Sequence, residues 1–166
     1  ELTSIGFDGY NIGGLSVGES NQEMYRVLRG LLPFMPEDKP RYLMGVGYPE
    51  NIVYAVQQGV DMFDCVIPTR EGRHGRLFYW QDRDQLSKAA NFYATVNINR
   101  SRYHNDRQPI NSQSRLPELK TYSRGYLHHL FRIKEPLGQR LASLNNLEFY
   151  LDLMDSIRKF IREDRL

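Results

Sequence analysis

The chain has 166 residues, a formal net charge of +2 and one cysteine, Cys65. This length suits a single domain with a sizeable core, and the mild positive charge permits a nucleic-acid partner without requiring one. No apolar run approaches the ~20 residues that span a bilayer, and a single cysteine excludes an internal disulfide framework. We therefore expect a soluble protein of the cytoplasm. Because the chain begins at Glu1 without a methionine, we also expect a fragment or a processed product.

The first part of the chain predicts a strand, a Gly-rich loop and a helix. The strand is expected at residues 5–7. Ser20 is a suitable N-cap for the helix because Glu23 follows three places on. The helix places one apolar face at helical spacing, formed by Met24, Val27, Leu28, Leu31 and Leu32.

The next elements repeat this alternation. The segment RYLMGVG predicts a strand, Pro49 opens a second helix that Gly59 ends, and DMFDCVIPT predicts a third strand. Strands joined to helices by such short connections indicate parallel βαβ units, and ligands gather at the carboxyl ends of their strands. Three loops should therefore face one site: residues 13–18, residues 44–47 and the loop after Asp64.

The second half of the chain is less regular. Residues 81–120 show no sustained period, so we expect an irregular insertion with short strands near NFYATVNI. The helical period resumes at Tyr122, and a long helix is expected from Gly138 or Asn145 to Arg162. Its predicted apolar stripe consists of Leu147, Tyr150, Leu151, Met154, Ile157 and Ile161.

Asp64 is the first candidate for chemistry. A carboxylate at the carboxyl end of an apolar strand, next to Phe63, is unfavourable to bury unless it is paired or used. It could be a structural residue that forms a salt bridge to Arg70 or Arg73. It could instead attack an anomeric carbon and form a covalent glycosyl ester, as in retaining glycosidases.

Two further segments could bind a ligand. GGLSVGE could present backbone N–H groups, or it could be only a strand-to-helix turn. PTREGRHGR reads as a short polar loop whose Arg70, Arg73 and Arg76 could contact phosphates or remain solvated. The histidines and the one cysteine are not spaced as a zinc site, and no dinucleotide-binding or NTP-binding motif occurs.

Four segments together resemble one family. FDGYNIGGLSVGE, MYRVLRGLLPFMPEDKPRYLMGVGYPENI, GVDMFDCVIPTREGRHGRLF and YSRGYLHHLF are similar, in order and spacing, to the carboxyl-terminal half of the tRNA-guanine transglycosylases. The resemblance covers nearly the whole chain and is weakest from Tyr79 to Thr121. It implies an α/β fold, namely the carboxyl-terminal half of a (β/α)8 TIM barrel with an inserted irregular subdomain and long C-terminal helices. The implied domains are barrel units at 1–78, the inserted region with a dimerisation helix at 79–135, and a C-terminal helix at 136–166.

The resemblance implies an enzyme of queuosine biosynthesis, which exchanges the wobble guanine of tRNAs with GUN anticodons for a 7-deazaguanine. Asp64 matches the nucleophile, which attacks C1′ of the ribose and holds a covalent tRNA intermediate. Gly14 and Leu15 match backbone groups that bind the base, and Met44 matches the side chain that stacks on it. Val17 matches a position where bacterial-type members carry Val, which favours the small base preQ1 over queuine.

Other matching segments imply partners. The tRNA anticodon loop would be held by two segments: Gly45, Val46, Gly47, Tyr48, Pro49, Glu50 and Asn51, and Thr69, Arg70, Glu71, Gly72 and Arg73. Tyr122, Tyr126 and His129 match an aromatic patch with which members form homodimers. The general acid/base aspartate of the family lies in the amino-terminal half of the barrel. We therefore expect either a homo-oligomer or pairing with such a half.

The chain departs from the family at the zinc site. Members bind zinc through three cysteines and a histidine, and the matching positions here are Ser114, Leu116, Leu119 and Asn145. Because all four ligands are replaced, we expect no zinc and no other cofactor, with apolar packing in place of the metal. Two other functions remain open: a non-catalytic tRNA-binding subunit of the family, and a relative that inserts deazaguanine into DNA.

Overall fold

The computed structural model describes residues 2–166, which form two compact units, one ending at Val66 and one comprising Ile67–Arg165. The first unit contains β1 (Tyr10–Ile12), α1 (Asn21–Leu31), β2 (Arg41–Leu43), α2 (Pro49–Gln57) and β3 (Met62–Phe63). The second contains α3 (Ile67–Arg73), β4 (Arg76–Trp80), β5 (Tyr93–Asn97), α4 (Pro117–Thr121), α5 (Arg124–Arg132) and α6 (Pro136–Arg162). Short 3-10 helices lie at Leu2–Ile5, Leu32–Phe34, Arg83–Lys88 and Ser101–Tyr103. None of the described helices is both long enough and apolar enough to cross a membrane.

The first unit is built on a parallel sheet in the order β1-β2-β3. Tyr10 lies opposite Arg41, and Tyr42 lies opposite Met62. Since α1 joins β1 to β2 and α2 joins β2 to β3, the predicted alternation of parallel strands and helices is confirmed. The helices pack on the sheet through a core of Ile12, Met24, Leu28, Leu32, Leu43, Val46, Ala55 and Val60.

The start of α1 is capped as predicted. Ser20 Oγ accepts a hydrogen bond from Glu23 N at 3.2 Å, which satisfies one of the free N–H groups of the first turn. Of the predicted apolar face, Val27 is only half-buried and Leu31 is exposed. Leu31 is the last residue of the helix, and the next residue, Leu32, is buried in the core instead.

The expectation of a strand at residues 5–7 is wrong. Ile5 ends a 3-10 helix, and the side chains of Ile5 and Phe7 are 64% and 48% exposed. The strand begins instead at Tyr10, whose N–H donates to Pro40 O at 2.8 Å. A strand needs a partner to receive its hydrogen bonds, and β2 begins only at Arg41, opposite Tyr10.

The second unit combines an antiparallel hairpin with helices that pack on α6. In the hairpin Arg76 lies opposite Asn97 and Trp80 lies opposite Tyr93, so the strand predicted near NFYATVNI is confirmed. α3, β4 and α5 all contact α6. The core consists of Leu77, Ile98, Tyr103, Ile110, Leu119, Leu127, Leu130, Leu141 and Ala142. The predicted domain boundaries at 78/79 and 135/136 stay a prediction, and the division at Val66 groups α3 and β4 with the later residues.

The segment PTREGRHGR is not the polar loop that its composition predicts, because Ile67–Arg73 forms α3. Ile67 and Pro68 are buried. Gly72 approaches α6 so closely that a Cβ at this position would lie 2.8 Å from the backbone N and Cα of Ser143. Glycine permits this contact, and the contact with α6 stabilises a helix that has few apolar side chains of its own.

The apolar stripe predicted for α6 is wrong in part. Leu147, Leu151 and Ile161 are 40%, 64% and 53% exposed. The buried face consists of Gly138, Leu141, Ala142, Asn145, Asn146, Phe149, Tyr150, Leu153, Ile157 and Phe160. Two fully buried asparagines interrupt its apolar pattern, which is why the pattern alone favours a stripe that is partly displaced.

Candidate active site

Asp64 follows β3 directly, and its carboxylate is exposed. Oδ1 accepts two hydrogen bonds, from Tyr42 Oη at 2.6 Å and from Gly45 N at 2.9 Å. The φ of Gly45 is +74°, a left-handed conformation that favours glycine and turns this N–H towards the carboxylate. Neither bond engages Oδ2, so one oxygen of Asp64 is oriented by the protein while the other keeps its lone pairs.

The two hydrogen bonds also fix the charge of the pair. They hold the pKa of Asp64 below its ordinary value, with the Tyr42 hydroxyl as the largest cause and the Gly45 N–H as the next. The same bond to Asp64 raises the pKa of Tyr42. At neutral pH Asp64 is therefore a carboxylate and Tyr42 a neutral donor, and an exposed, ionised carboxylate is able to act as a nucleophile.

The loop after β2 lies next to both the end of β1 and Asp64. Asn11 Nδ2 donates to Met44 Sδ at 3.2 Å, and a Cβ at Gly13 would lie 3.6 Å from the same sulfur. The hydrogen bond joins β1 to the first residue after β2, Gly13 is the residue of the first loop that lies near Met44, and the bond from Gly45 to Asp64 joins the loop after β2 to the end of β3. Met44 itself is 39% exposed, so part of its side chain is accessible.

The Gly-rich loop is held in shape by Glu19. Its Oε1 accepts a hydrogen bond from Ser16 N, and its Oε2 accepts one from Val17 N at 3.0 Å. These backbone bonds, that of Ser16 first, hold the pKa of Glu19 below its ordinary value. Gly14 and Leu15, whose backbone groups are predicted to bind a base, lie just before the two residues that Glu19 binds. The Val17 side chain is 81% exposed.

Only some residues of the segment 45–51 are exposed. Its buried members are Val46, Gly47, Pro49 and Asn51. The Asn51 amide accepts from Tyr25 Oη at 2.7 Å and donates to Asn21 Oδ1 at 3.2 Å, so this side chain holds α2 to α1. The surface of the segment is formed by Gly45, Tyr48 and part of Glu50.

In the second unit, α3 carries the other predicted RNA-binding residues. Arg70 and Arg73 are exposed and lie one turn apart, and Thr69 is half-buried. Arg70 Nε lies 3.7 Å from Glu71 Oε1, and Glu71 also pairs with Arg76 at 3.3 Å. The helix therefore exposes two guanidinium groups on one side, a geometry that suits successive phosphates.

Comparison with known proteins decides the family. A family model described as Queuine tRNA-ribosyltransferase matches residues 1–166. The chain belongs to this family. It is similar to the Queuine tRNA-ribosyltransferases of Vibrio atlanticus (strain LGP32), at 47% identity, and of Vibrio vulnificus (strain YJ016), at 48%. Both alignments cover 164 residues, which is 99% of this chain, and the chain spans only 40% of the length of these relatives.

Family membership confirms the resemblance that the sequence motifs indicate, but it does not test the roles of individual residues. Tyr122 and Tyr126, predicted to contribute to a dimer interface, are 37% and 38% exposed with ring centroids 5.1 Å apart. His129 lies one turn further along α5 and is also exposed. The three side chains are thus available at one surface of the second unit.

The residues at the zinc positions do not fit a zinc ion. Leu119 is completely buried in the apolar core, and Leu116 packs against that core. Ser114 Oγ donates to Glu148 Oε2, and Asn145 Nδ2 donates to Phe78 O at 3.0 Å. None of the four side chains is a thiolate or an imidazole, and no group of three or more His, Cys, Asp or Glu within residues 2–166 is arranged to hold a metal.

Sequence reasoning missed Tyr42 and Glu19. Tyr42 lies opposite Met62, and Asp64 lies two residues beyond Met62 on the same face, so strand register brings the hydroxyl to the carboxylate. The sequence shows both residues, but it does not show how the two strands are aligned, so their contact could not be predicted. The signal for Glu19 is stronger, because a carboxylate directly after a Gly-rich turn commonly accepts the free N–H groups of that turn.

Proposed function

We propose that this chain supplies the carboxyl-terminal half of the (β/α)8 barrel of a tRNA-guanine transglycosylase, with Asp64 as its nucleophile. The observation that carries the proposal is the exposed carboxylate at the end of β3, oriented through Oδ1 by Tyr42 and Gly45. Membership of the queuine tRNA-ribosyltransferase family supports the same reaction. The tRNA substrate favours the cytoplasm as the place of action.

In this reaction Asp64 Oδ2 attacks C1′ of the wobble nucleotide. A C1′–O ester bond forms as the C1′–N9 bond to guanine breaks, and guanine leaves with the bonding electron pair and takes up a proton. A deazaguanine that has lost its N9 proton then attacks C1′ and releases Asp64. The hydrogen bonds to Oδ1 keep the carboxylate ionised for the attack and stabilise it again as the leaving group. Both proton transfers need an acid/base group, which we assign to an amino-terminal half.

The exchanged base would lie between the first and second loops. Met44 is accessible and held at its sulfur by Asn11, so it offers a flat apolar contact for a purine ring. Gly14 and Leu15 would donate backbone hydrogen bonds, while Glu19 keeps the loop from collapsing over them. Val17 would reduce the space beside the base, which favours preQ1 over the larger queuine.

The anticodon loop would bind Gly45, Tyr48 and Glu50 in the first unit and the exposed side of α3 in the second. Arg70 and Arg73 provide the charge for phosphate contacts. Tyr122, Tyr126 and His129 would form a homodimer interface. β1 and β3 are the outer strands of the three-stranded sheet, and in a closed barrel each would pair with a strand of the amino-terminal half.

The decisive experiment is formation of a covalent adduct. The chain is incubated with unmodified GUN-anticodon tRNA, with and without the amino-terminal half of a full-length relative, and examined on a denaturing gel. We expect an adduct that Asp64→Asn abolishes and that Asp38→Asn, an exposed carboxylate of the same unit, leaves unchanged. Binding of tRNA should survive Asp64→Asn, because the anticodon contacts lie on other residues.

The outcomes separate the three functions. Retained tRNA binding without any adduct, in every combination of halves, would favour a non-catalytic tRNA-binding subunit. Preferential binding of duplex DNA would favour a relative that modifies DNA. If Asp64→Asn abolished binding as completely as it abolished the adduct, the assignment of Asp64 as nucleophile would be wrong.

A further inference from the structure

The arginines of the second unit fall into two groups. Among the residues that the structure describes, seven have a carboxylate oxygen within 4 Å: Arg70, Arg76, Arg83, Arg115, Arg124, Arg158 and Arg165. The other arginines of this unit have no such partner in the same residues; they are Arg73, Arg100, Arg102, Arg107, Arg132, Arg140 and Arg162. We call the arginines of the first group compensated and those of the second group uncompensated. Most compensated arginines bind one segment of the unit to another, whereas an uncompensated guanidinium is available to an external anion.

Four of the uncompensated arginines define what we call the basic surface: Arg132, which lines a groove, Arg100 and Arg102, which flank the groove residue Ser101, and Arg73, which precedes His74. The end of α3 is joined to the segment before Arg100 by two hydrogen bonds, from Asn99 Nδ2 to His74 O at 3.1 Å and from Ile98 N to Gly75 O at 2.8 Å. A groove of about 570 Å³ continues from there, lined by Asn99, Ser101, His104, His128, His129, Arg132 and Ile133.

One arginine of this surface is held in position before any ligand arrives. The Arg102 guanidinium lies 4.8 Å from the ring centroid of Tyr103 and donates to Tyr103 Oη at 2.6 Å. Tyr103 is 6% exposed and belongs to the core, so the stacked guanidinium has a rigid support. A guanidinium restrained in this way loses less conformational entropy when it binds a phosphate.

The nearest carboxylates do not neutralise the basic surface. Asp106 pairs with Arg124 at 3.8 Å, and Glu71 pairs with Arg70 and Arg76. The histidines of the groove add hydrogen-bond donors: His104 and His129 are exposed, and the buried His128 bonds Ile98 O through Nδ1 at 2.7 Å. The groove therefore combines the uncompensated charge of Arg132 and several polar side chains with a lining that is more apolar than polar.

We propose that the basic surface binds the ribose-phosphate backbone of the tRNA beyond the anticodon loop. The inference rests on the proposed function, because it takes α3 as part of the anticodon site and extends that site from Arg73 onto Arg100, Arg102 and Arg132. Uncompensated arginines with a fork of donors suit phosphate oxygens, and such contacts position an RNA without reading its sequence. A second copy of this chain is the competing occupant, since His129 also belongs to the predicted dimer patch.

The test is the salt dependence of tRNA binding, measured for the chain combined with the amino-terminal half. Arg100→Gln with Arg132→Gln removes two charges from the basic surface. The control, Arg158→Gln with Arg162→Gln, removes two exposed charges from the far end of α6, of which Arg158 is paired with Asp155 and Arg162 is uncompensated. Each lost phosphate contact lowers the slope of log K against log salt by about 0.7–0.9, so we expect a decrease of about 1.4–1.8 for the first variant and none for the control.

Each outcome bears on one of the two proposals. A slope that is unchanged in the first variant, or lowered equally in both, would overturn the basic surface as a tRNA site, while wild-type binding and the Asp64 adduct would leave the proposed function standing. Loss of oligomers in the first variant, by light scattering, with an unchanged slope would assign the surface to a second copy instead. Absence of wild-type tRNA binding and of the adduct would refute the proposed function itself.

Discussion

Asn146→Ala should be among the most destabilising single substitutions in the second unit. The Asn146 amide makes three hydrogen bonds to backbone groups: it accepts from Phe78 N at 3.0 Å and donates to Pro68 O and Arg76 O, both at 2.9 Å. A single side chain in the middle of α6 thus forms hydrogen bonds with backbone groups of both α3 and β4. Alanine would remove all three bonds, and those to Phe78 and Pro68 are fully buried.

The size of the effect follows from these bonds. Each buried backbone group that loses its partner costs about 1–3 kcal/mol, while the better helix propensity of alanine returns about 0.5 kcal/mol. Because two of the three bonds are fully buried, we expect the free energy of unfolding to fall by about 2–5 kcal/mol. Trp80, the only tryptophan of the chain, lies in β4, so its fluorescence during urea unfolding reports on this unit.

Gln139→Ala is the matched control, because Gln139 is an exposed amide on the same helix and should change stability by no more than about 0.5 kcal/mol. A loss below about 1 kcal/mol for Asn146→Ala, at an unchanged dependence on urea, would refute the reasoning. It would mean that water or a small backbone shift replaces the amide at little cost.

Three further predictions concern packing, charge and metal. Gly72→Ala should lower stability by about 1–3 kcal/mol, since the new methyl group would overlap the Ser143 backbone, whereas Gly30→Ala, with open space around it, should be neutral or stabilising in urea unfolding. In an NMR titration the Asp64 carboxyl should protonate at lower pH than an ordinary aspartate. Tyr42→Phe should raise the pKa of Asp64, because it removes the hydrogen bond that lowers this pKa most. Because the pKa of Asp64 is lower in the folded state, the ionised carboxylate contributes to folding stability above its unfolded-state pKa, and this contribution is lost as the pH falls through the folded-state pKa. An unchanged titration in Tyr42→Phe would show that the Tyr42 hydroxyl does not control the pKa of Asp64. Elemental analysis should find no stoichiometric zinc, and a chelator should leave the unfolding midpoint unchanged; one zinc per chain would show that the ligand positions are misaligned.

The parts of the fold that the sequence predicts are those whose signals are local. Ser20 and Glu23 mark the start of α1 through a cap that needs only neighbouring residues, and Pro49 marks the start of α2 in the same way. The alternation of strands and helices then follows from the short connections. At the site, Asp64 and the three loops could be predicted because parallel strands bring their carboxyl ends to one edge.

The parts that it does not predict depend on distant partners. α3 is a helix because Gly72 packs on Ser143, which lies about seventy residues later in the chain. The stripe of α6 is displaced because Asn145 and Asn146 occupy core positions and bond to the backbone of β4. Tyr42 meets Asp64 only through strand register. In each case the deciding contact is tertiary, and no local pattern encodes it.

The residues at the four zinc positions also restrict how this chain can evolve. Leu119 is completely buried in the core, and Asn145 bonds to Phe78 O, so both side chains contribute to the stability of the fold. Reversion of either one to a metal ligand would remove these contacts and gain no metal, since a tetrahedral zinc site needs all four ligands. Intermediate sequences in which Leu119 or Asn145 has changed while the other ligands are missing would therefore be less stable than this chain. Point mutation and selection for stability would keep the present arrangement, even where the binding of zinc would itself be favourable.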